Sequence, residues 1–206
     1  MPSGSGQEEL RAVLGRAQEL GFLGPGALDP QIDRSLAFTA ATAPPESALD
    51  LGSGGGIPGL VLALAWPASR WVLLDGSLRR CQFLREAVGA LRLDARVEVV
   101  ASRAEEAGRG PLRGSRDLVV ARGFGPAAVT AECAAPLLKL GGHLVVAEPP
   151  GGAPKRWPAQ SLAALGLEVG PALTEPVALQ VLKQIALCPD RFPRRVGIPA
   201  KRPLFR

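Results

Sequence analysis

One histidine, His143, and three scattered cysteines, Cys81, Cys133 and Cys188, leave this 206-residue chain with few metal ligands and few nucleophiles. The cysteines are odd in number and set among apolar residues, so they read as buried thiols rather than a disulfide framework or metal cluster. With a single histidine, at the edge of an apolar strand, neither a metal site nor a histidine-based catalytic triad is expected. No apolar run is long enough to span a bilayer, and Met1-Pro2-Ser3-Gly4-Ser5-Gly6 lacks the basic end and apolar core of a signal peptide. A cytoplasmic protein with no membrane segment is expected, and two full domains would be crowded in this length, so one is expected.

What the chain does have is glycine, concentrated in Asp50-Leu51-Gly52-Ser53-Gly54-Gly55-Gly56-Ile57-Pro58-Gly59. Ser47 to Leu49 supply an apolar strand approach. Leu60 to Trp66 read as a buried helix opened by Pro58 and stopped by Pro67. A glycine turn between strand and helix admits positive φ and lets a ligand approach the backbone, while the helix start offers free amides. Gly54, Gly56 and Gly59 satisfy the G-x-G-x-x-G spacing of dinucleotide folds, which keeps an NAD-linked oxidoreductase among the readings. Asp50 argues against it. A carboxylate there repels a pyrophosphate but accepts hydrogen bonds from the α-ammonium of S-adenosylmethionine (SAM).

Trp71 to Asp75 form a second apolar run ending in an acid, where a parallel strand places a carboxylate beside ribose hydroxyls. The next helix has Ser77 as its cap and Leu78, Cys81, Leu84, Val88 and Leu91 on one stripe. Val97 to Ala101, Asp117 to Ala121 and His143 to Ala147 read as further buried parallel strands. Pro126 to Leu140 is expected to be a helix closed by Gly141-Gly142. After Pro149-Pro150-Gly151-Gly152, a short helix near Ser161 to Leu165 precedes two strands, Leu167 to Val169 and Leu179 to Leu187, that pair as a hairpin at the sheet edge. The alternation implies an α/β fold with a mostly parallel, doubly wound sheet and a C-terminal antiparallel hairpin. Its ligands bind beyond the carboxyl ends of the strands. Asp50, Asp75, the segment Ser102 to Glu105, and Arg122 all fall there.

Charge is unevenly placed. Residues 1 to 49 carry three basic and six acidic side chains, 50 to 150 twelve and ten, and 151 to 206 nine and three. Residues 191 to 206 hold six cations interleaved with prolines and two phenylalanines. Prolines keep such a tail extended, and the arginine-aromatic mixture suits phosphate and base contact, so RNA is the natural partner. A solvated arginine-rich terminus is the plainer alternative.

Taken together, Asp50 to Gly59, Leu74-Asp75-Gly76-Ser77 with Arg80 and Phe83 to Arg85, Arg103 to Glu106, Val120 to Gly123 and the closing Arg194 to Leu204 resemble the RsmG (GidB) family of bacterial small-subunit rRNA guanine-N7 methyltransferases. The resemblance implies a Rossmann-like class I SAM-dependent methyltransferase fold over residues 1–206, with an N-terminal helical leader (1–46) and a basic C-terminal tail (190–206). It implies that Asp50, Gly52, Ser53, Gly54 and Gly56 hold the amino-acid end of SAM, Asp75 its ribose, and Ala104 with Glu105 its adenine edge. Arg122 would orient the target nucleotide, and Arg194, Arg195, Lys201 and Arg202 would contact RNA.

The implied partner is small-subunit rRNA or a ribosomal particle, and a monomer is expected. An alternative role for Arg122 is a structural salt bridge with Asp117 or Glu148. A further alternative is a SAM- and RNA-binding relative with an altered target or no activity. It follows from Glu148, which stands where the family commonly has lysine and would set an anion beside RNA.

Overall fold

The computed structural model describes residues 4–149 and 154–205. Two helices, α1 (Gly4–Glu19) and α2 (Leu28–Leu36), lead into the first strand, β1 (Ser47–Leu51). Helix α3 (Gly59–Ala65) follows the glycine turn, then β2 (Arg70–Asp75), α4 (Leu78–Ala90) and β3 (Val97–Ala101). A single turn of helix, α5 (Ala104–Ala107), precedes β4 (Arg116–Ala121), α6 (Ala127–Ala134) and β5 (Leu138–Ala147). The chain closes with α7 (Ala159–Ala163), β6 (Leu167–Leu173), β7 (Leu179–Gln184) and α8 (Ile198–Lys201).

The strands form one sheet in the order β3-β2-β1-β4-β5-β7-β6. The first five are parallel, while β7 pairs antiparallel with both β5 and β6, as the alternation and the terminal hairpin led one to expect. Strand order reverses between β1 and β4, which opens a crevice at their carboxyl ends. Because successive strand residues face opposite sides, Ala48 packs with α1, α3 and α4, whereas Leu49 and Leu51 pack with α6 and α7. Asp50 therefore shares the α3 face, under the glycine turn.

Two elements differ from the sequence reading. The helix expected from Pro126 to Leu140 stops at Ala134, a 3-10 turn spans Ala135–Leu137, and β5 already starts at Leu138. Gly141-Gly142 is not a helix cap but part of an irregular stretch in which β5 shifts register against β4. A Cβ on Gly142 would stand 2.9 Å from the Arg116 carbonyl oxygen, so glycine permits the close approach. Leu78, assigned to the buried stripe of α4, is 76% exposed because at the first helical position its side chain overhangs the preceding turn rather than the sheet. Ser77 does cap that helix, its hydroxyl accepting from the Arg80 amide. Pro150, Gly151 and Gly152 lie outside the described residues.

Candidate functional site

The glycine turn runs Gly52, Gly54 and Gly56 through positive φ, a path that a side chain would strain. It brings the Gly59 amide at the start of α3 back onto Asp50, whose Oδ2 accepts it at 3.0 Å. A Cβ on Gly59 would stand 2.5 Å from that oxygen, which is why the third glycine of the spacing is required here. The first amide of α3 is thus taken by a carboxylate rather than left open to a pyrophosphate, and the dinucleotide reading loses its anion site.

Asp50 is 1% exposed, and its Oδ1 is a buried oxygen with no hydrogen-bond partner among the described residues. Burial pushes its pKa up to about 7, with Asp75 adding to the rise and the Gly59 amide opposing it. An orphaned carboxylate oxygen beside a glycine turn fits a cationic amino group, which would supply both the missing donor and the missing charge. Ser53 is buried and donates its hydroxyl to the Asp50 carbonyl, so its part is to hold the turn.

Asp75 ends β2 and is 6% exposed. Its Oδ2 accepts the Gly54 amide at 2.9 Å and its Oδ1 the Ser77 amide at 2.8 Å, which ties the turn to the second strand. Each carboxylate oxygen retains a lone pair for a ribose hydroxyl. A cleft of about 470 Å³ opens above it, lined among others by Gly52, Asp75, Arg103, Ala104, Glu105 and Phe124. Gly52, Asp75, Ser102 to Glu105 and Gly123, which end or follow β1 to β4, share this cleft, whereas Asp50 and Arg122, expected in the same cleft, do not line it. Glu105 lines it with its carboxylate already engaged: Oε1 accepts the Gly197 amide at 2.9 Å. Glu105 thereby ties the C-terminal segment to the cleft wall beside Ala104.

Gly123, Phe124 and Gly125 line this cleft and also a neighbouring one of about 670 Å³ beyond β4 and β5. Arg122 sits in the second cleft's wall with Arg34 and Arg156. It pairs with neither Asp117 nor Glu148, so the structural salt bridge is not made: Asp117 holds Lys139 and Glu148 holds Arg156. Among the described residues its guanidinium makes only long contacts, to the Gln31 carbonyl (3.4 Å) and the Ser35 hydroxyl (3.3 Å). Burial and the nearby Arg34 lower its pKa, both favouring the arrival of an anion or a strong acceptor.

The C-terminal segment is not the extended arm that its prolines suggested. Arg194, expected on the RNA surface, donates its backbone amide and Nε to Glu132 Oε1 at 2.8 Å each and Nη2 to Oε2 at 2.6 Å. Glu132 is fully buried in α6 and requires a cation, so Arg194 is committed to the fold. Arg109 and Arg113 bind the Pro193 and Phe192 carbonyls from beneath. Arg195, Lys201 and Arg202 remain exposed and enter no ion pair among the described residues.

Arg34, Phe124 and Arg156 were given no role by the sequence. Among the described residues no cluster of three or more histidine, cysteine or acidic side chains is arranged to hold a metal, and no helix is long and apolar enough to cross a membrane. Cys81 and Cys133 are buried as expected, but Cys188 is only partly so.

The family model for GidB, rRNA small subunit methyltransferase G, matches residues 31–148. The chain belongs to that family. A ribosomal RNA small subunit methyltransferase G from Rubrobacter xylanophilus is 37% identical over 169 residues, covering 75% of this chain and 64% of the relative. One from Prochlorococcus marinus (strain NATL1A) is 35% identical over 167 residues, covering 76% and 66%. The chain thus spans a little under two thirds of the length of both relatives. An O-methyltransferase from Bacillus cereus in complex with SAH shares the fold with a TM-score of 0.64 at 16% identity, covering 90% of this chain and 93% of that one.

Proposed function

We propose that this family member is a SAM-dependent methyltransferase that transfers a methyl group to N7 of a guanosine in the decoding-region loop of 16S rRNA. One observation carries the reading: a cleft lined by Gly52 and Asp75, with the cation-seeking Asp50 buried behind the glycine turn, shares Gly123 to Gly125 with a second cleft walled by arginines. Small-subunit rRNA methyltransferases among its relatives support it.

Asp50, Gly52, Gly54 and Gly56 hold the amino-acid end of the cofactor, with Ser53 fixing the turn they form, while Asp75 holds its ribose and Ala104 its adenine edge. When bound, SAM supplies an electrophilic methyl on a sulfonium. Guanine N7 carries an exposed lone pair and no proton, so the protein needs no general base, in keeping with its single histidine. Its task is alignment and electrostatic positioning. Arg122 orients the base from an edge such as O6 or from its phosphate, since a donor placed on N7 would block the nucleophile. Phe124, partly buried between the two clefts, offers an aromatic face. Arg195, Lys201 and Arg202 bind the surrounding RNA, and the enzyme acts as a cytoplasmic monomer built from one domain.

Incubation with methyl-labelled SAM and small-subunit rRNA or particles, followed by borohydride and aniline, tests the assignment. Strand cleavage at a single labelled guanosine is expected. Label at another atom or nucleotide, or none, overturns the assignment.

A further inference from the structure

The acid at the end of β5 has a partner that changes its meaning. Glu148 is almost fully buried, with a side-chain exposure of 4%. Its Oε1 accepts the Trp157 indole N–H at 2.9 Å and its Oε2 accepts Arg156 Nη1. Its backbone amide is tied to the Ala178 carbonyl at 2.8 Å, fixing the strand end against β7. Both carboxylate oxygens are therefore engaged within the protein, and of the pair it is the Arg156 side chain that keeps exposure, at 31%. Arg156 lines the second cleft together with Arg34 and Arg122. Among the described residues its only hydrogen bond is the one to Glu148.

We propose that Arg156, seated on Glu148, binds a backbone phosphate of the RNA strand whose nucleotide enters the second cleft, with Glu148 as its positioning residue. The inference rests on the functional reading above and names a contact that reading does not include. Guanidinium carries five N–H donors in a planar fork, and one nitrogen on Glu148 leaves Nε and the other terminal nitrogen for two parallel bonds to a phosphate. Without Arg156 the buried carboxylate would repel that phosphate; with it, the pair is neutral and the donors are pre-oriented. Glu175, on the β6–β7 connection, is the other acid lining the cleft. It has no ion-pair partner among the described residues, so the phosphate belongs on the Arg156 side.

The test measures binding of a 16S rRNA fragment over a salt series in the presence of the demethylated cofactor, alongside KM and kcat with methyl-labelled SAM. Arg156→Ala is expected to raise the RNA Kd and KM by about tenfold and to flatten the slope of log K against log salt by about 0.7 to 0.9, as for one lost phosphate contact. SAM affinity should stay unchanged. Glu148→Gln should give a smaller loss of the same kind, and Arg156→Lys should keep the salt slope with part of the affinity. Should Arg156→Ala not fold, Arg156→Gln takes its place. Wild-type RNA affinity and salt slope in the alanine or glutamine variant would overturn the proposal, as would a loss with unchanged slope. If instead the wild-type protein binds the fragment but transfers no label, the functional reading fails and the phosphate contact stands on the binding data.

Discussion

Arg194 and Glu132 form a forked ion pair that fastens the last residues of the chain to α6, with Nη2 2.6 Å from Oε2 and both Nε and the backbone amide on Oε1. Glu132 has no exposure at all, so its charge depends on this one guanidinium. Arg194→Ala is expected to lower unfolding free energy by about 3 kcal/mol, as when one partner of a buried pair is removed. The arginine is 27% exposed, and water reaching the cavity offsets part of the loss. Urea unfolding measures it. A change below about 0.5 kcal/mol, typical of surface pairs, would show that the segment is held by something else.

Because Gly197 donates to Glu105 and Ala200 lines the smaller cleft, the C-terminal segment is part of the wall of the cleft proposed for the cofactor. Truncation after Asp190 should therefore weaken SAM binding as well as RNA binding. The triple variant Arg195→Ala, Lys201→Ala, Arg202→Ala keeps the wall and should leave SAM affinity alone. Its RNA affinity should fall and its salt slope flatten by about two units, from up to three lost phosphate contacts. Calorimetry with SAM and RNA titrations at several salt concentrations separate the two effects. Unchanged RNA affinity in the triple variant would return these cations to the role of a solvated surface.

Much of the architecture was readable because strand and helix periods are strong signals in this chain: the five parallel strands and the terminal hairpin follow from apolar runs and turn residues. The positions of Asp50 and Asp75 at the ends of β1 and β2 were readable because apolar runs that end in an acid mark strand ends in a doubly wound sheet. The errors arose where long-range partners decide. Gly141-Gly142 looks like a helix cap until β4 is placed beside it, and the charge of Arg194 looks free until Glu132 is found beneath it. Arg156 and Glu148 are eight positions apart across a proline- and glycine-rich stretch, with no period to betray that they meet. Arg34 reaches the site from a helix far ahead of the glycine turn, a matter of packing rather than of pattern.

Asp75→Ala removes the acceptor for the Gly54 and Ser77 amides together with the proposed ribose contact. SAM affinity is expected to fall at least a hundredfold, since the ligand loses its acceptor and the glycine turn loses the two part-buried hydrogen bonds that hold it in place. Asp94→Ala, at an exposed loop position, should bind SAM as the parent does. Equal affinities for the two variants would refute the placement of the cofactor along β2.

Asp50 makes cofactor binding and stability depend on pH in opposite senses. Its folded pKa is about 7 against an ordinary 3.8, raised first by burial. Between those values the folded chain holds a proton that the unfolded chain has released, so stability without cofactor should decline as pH rises from about 4 to about 7 and then level off. An ammonium placed against the orphaned Oδ1 favours the ionised form, so binding expels that proton. SAM affinity should therefore rise up to about tenfold per pH unit below about 7 and flatten above it. Titration calorimetry in two buffers of different ionisation enthalpy counts the proton directly. Asp50→Asn should bind weakly and lose the pH dependence. Affinity that is flat from pH 5.5 to 8.5 in the parent, with no proton released, would mean that the ammonium does not meet this carboxylate.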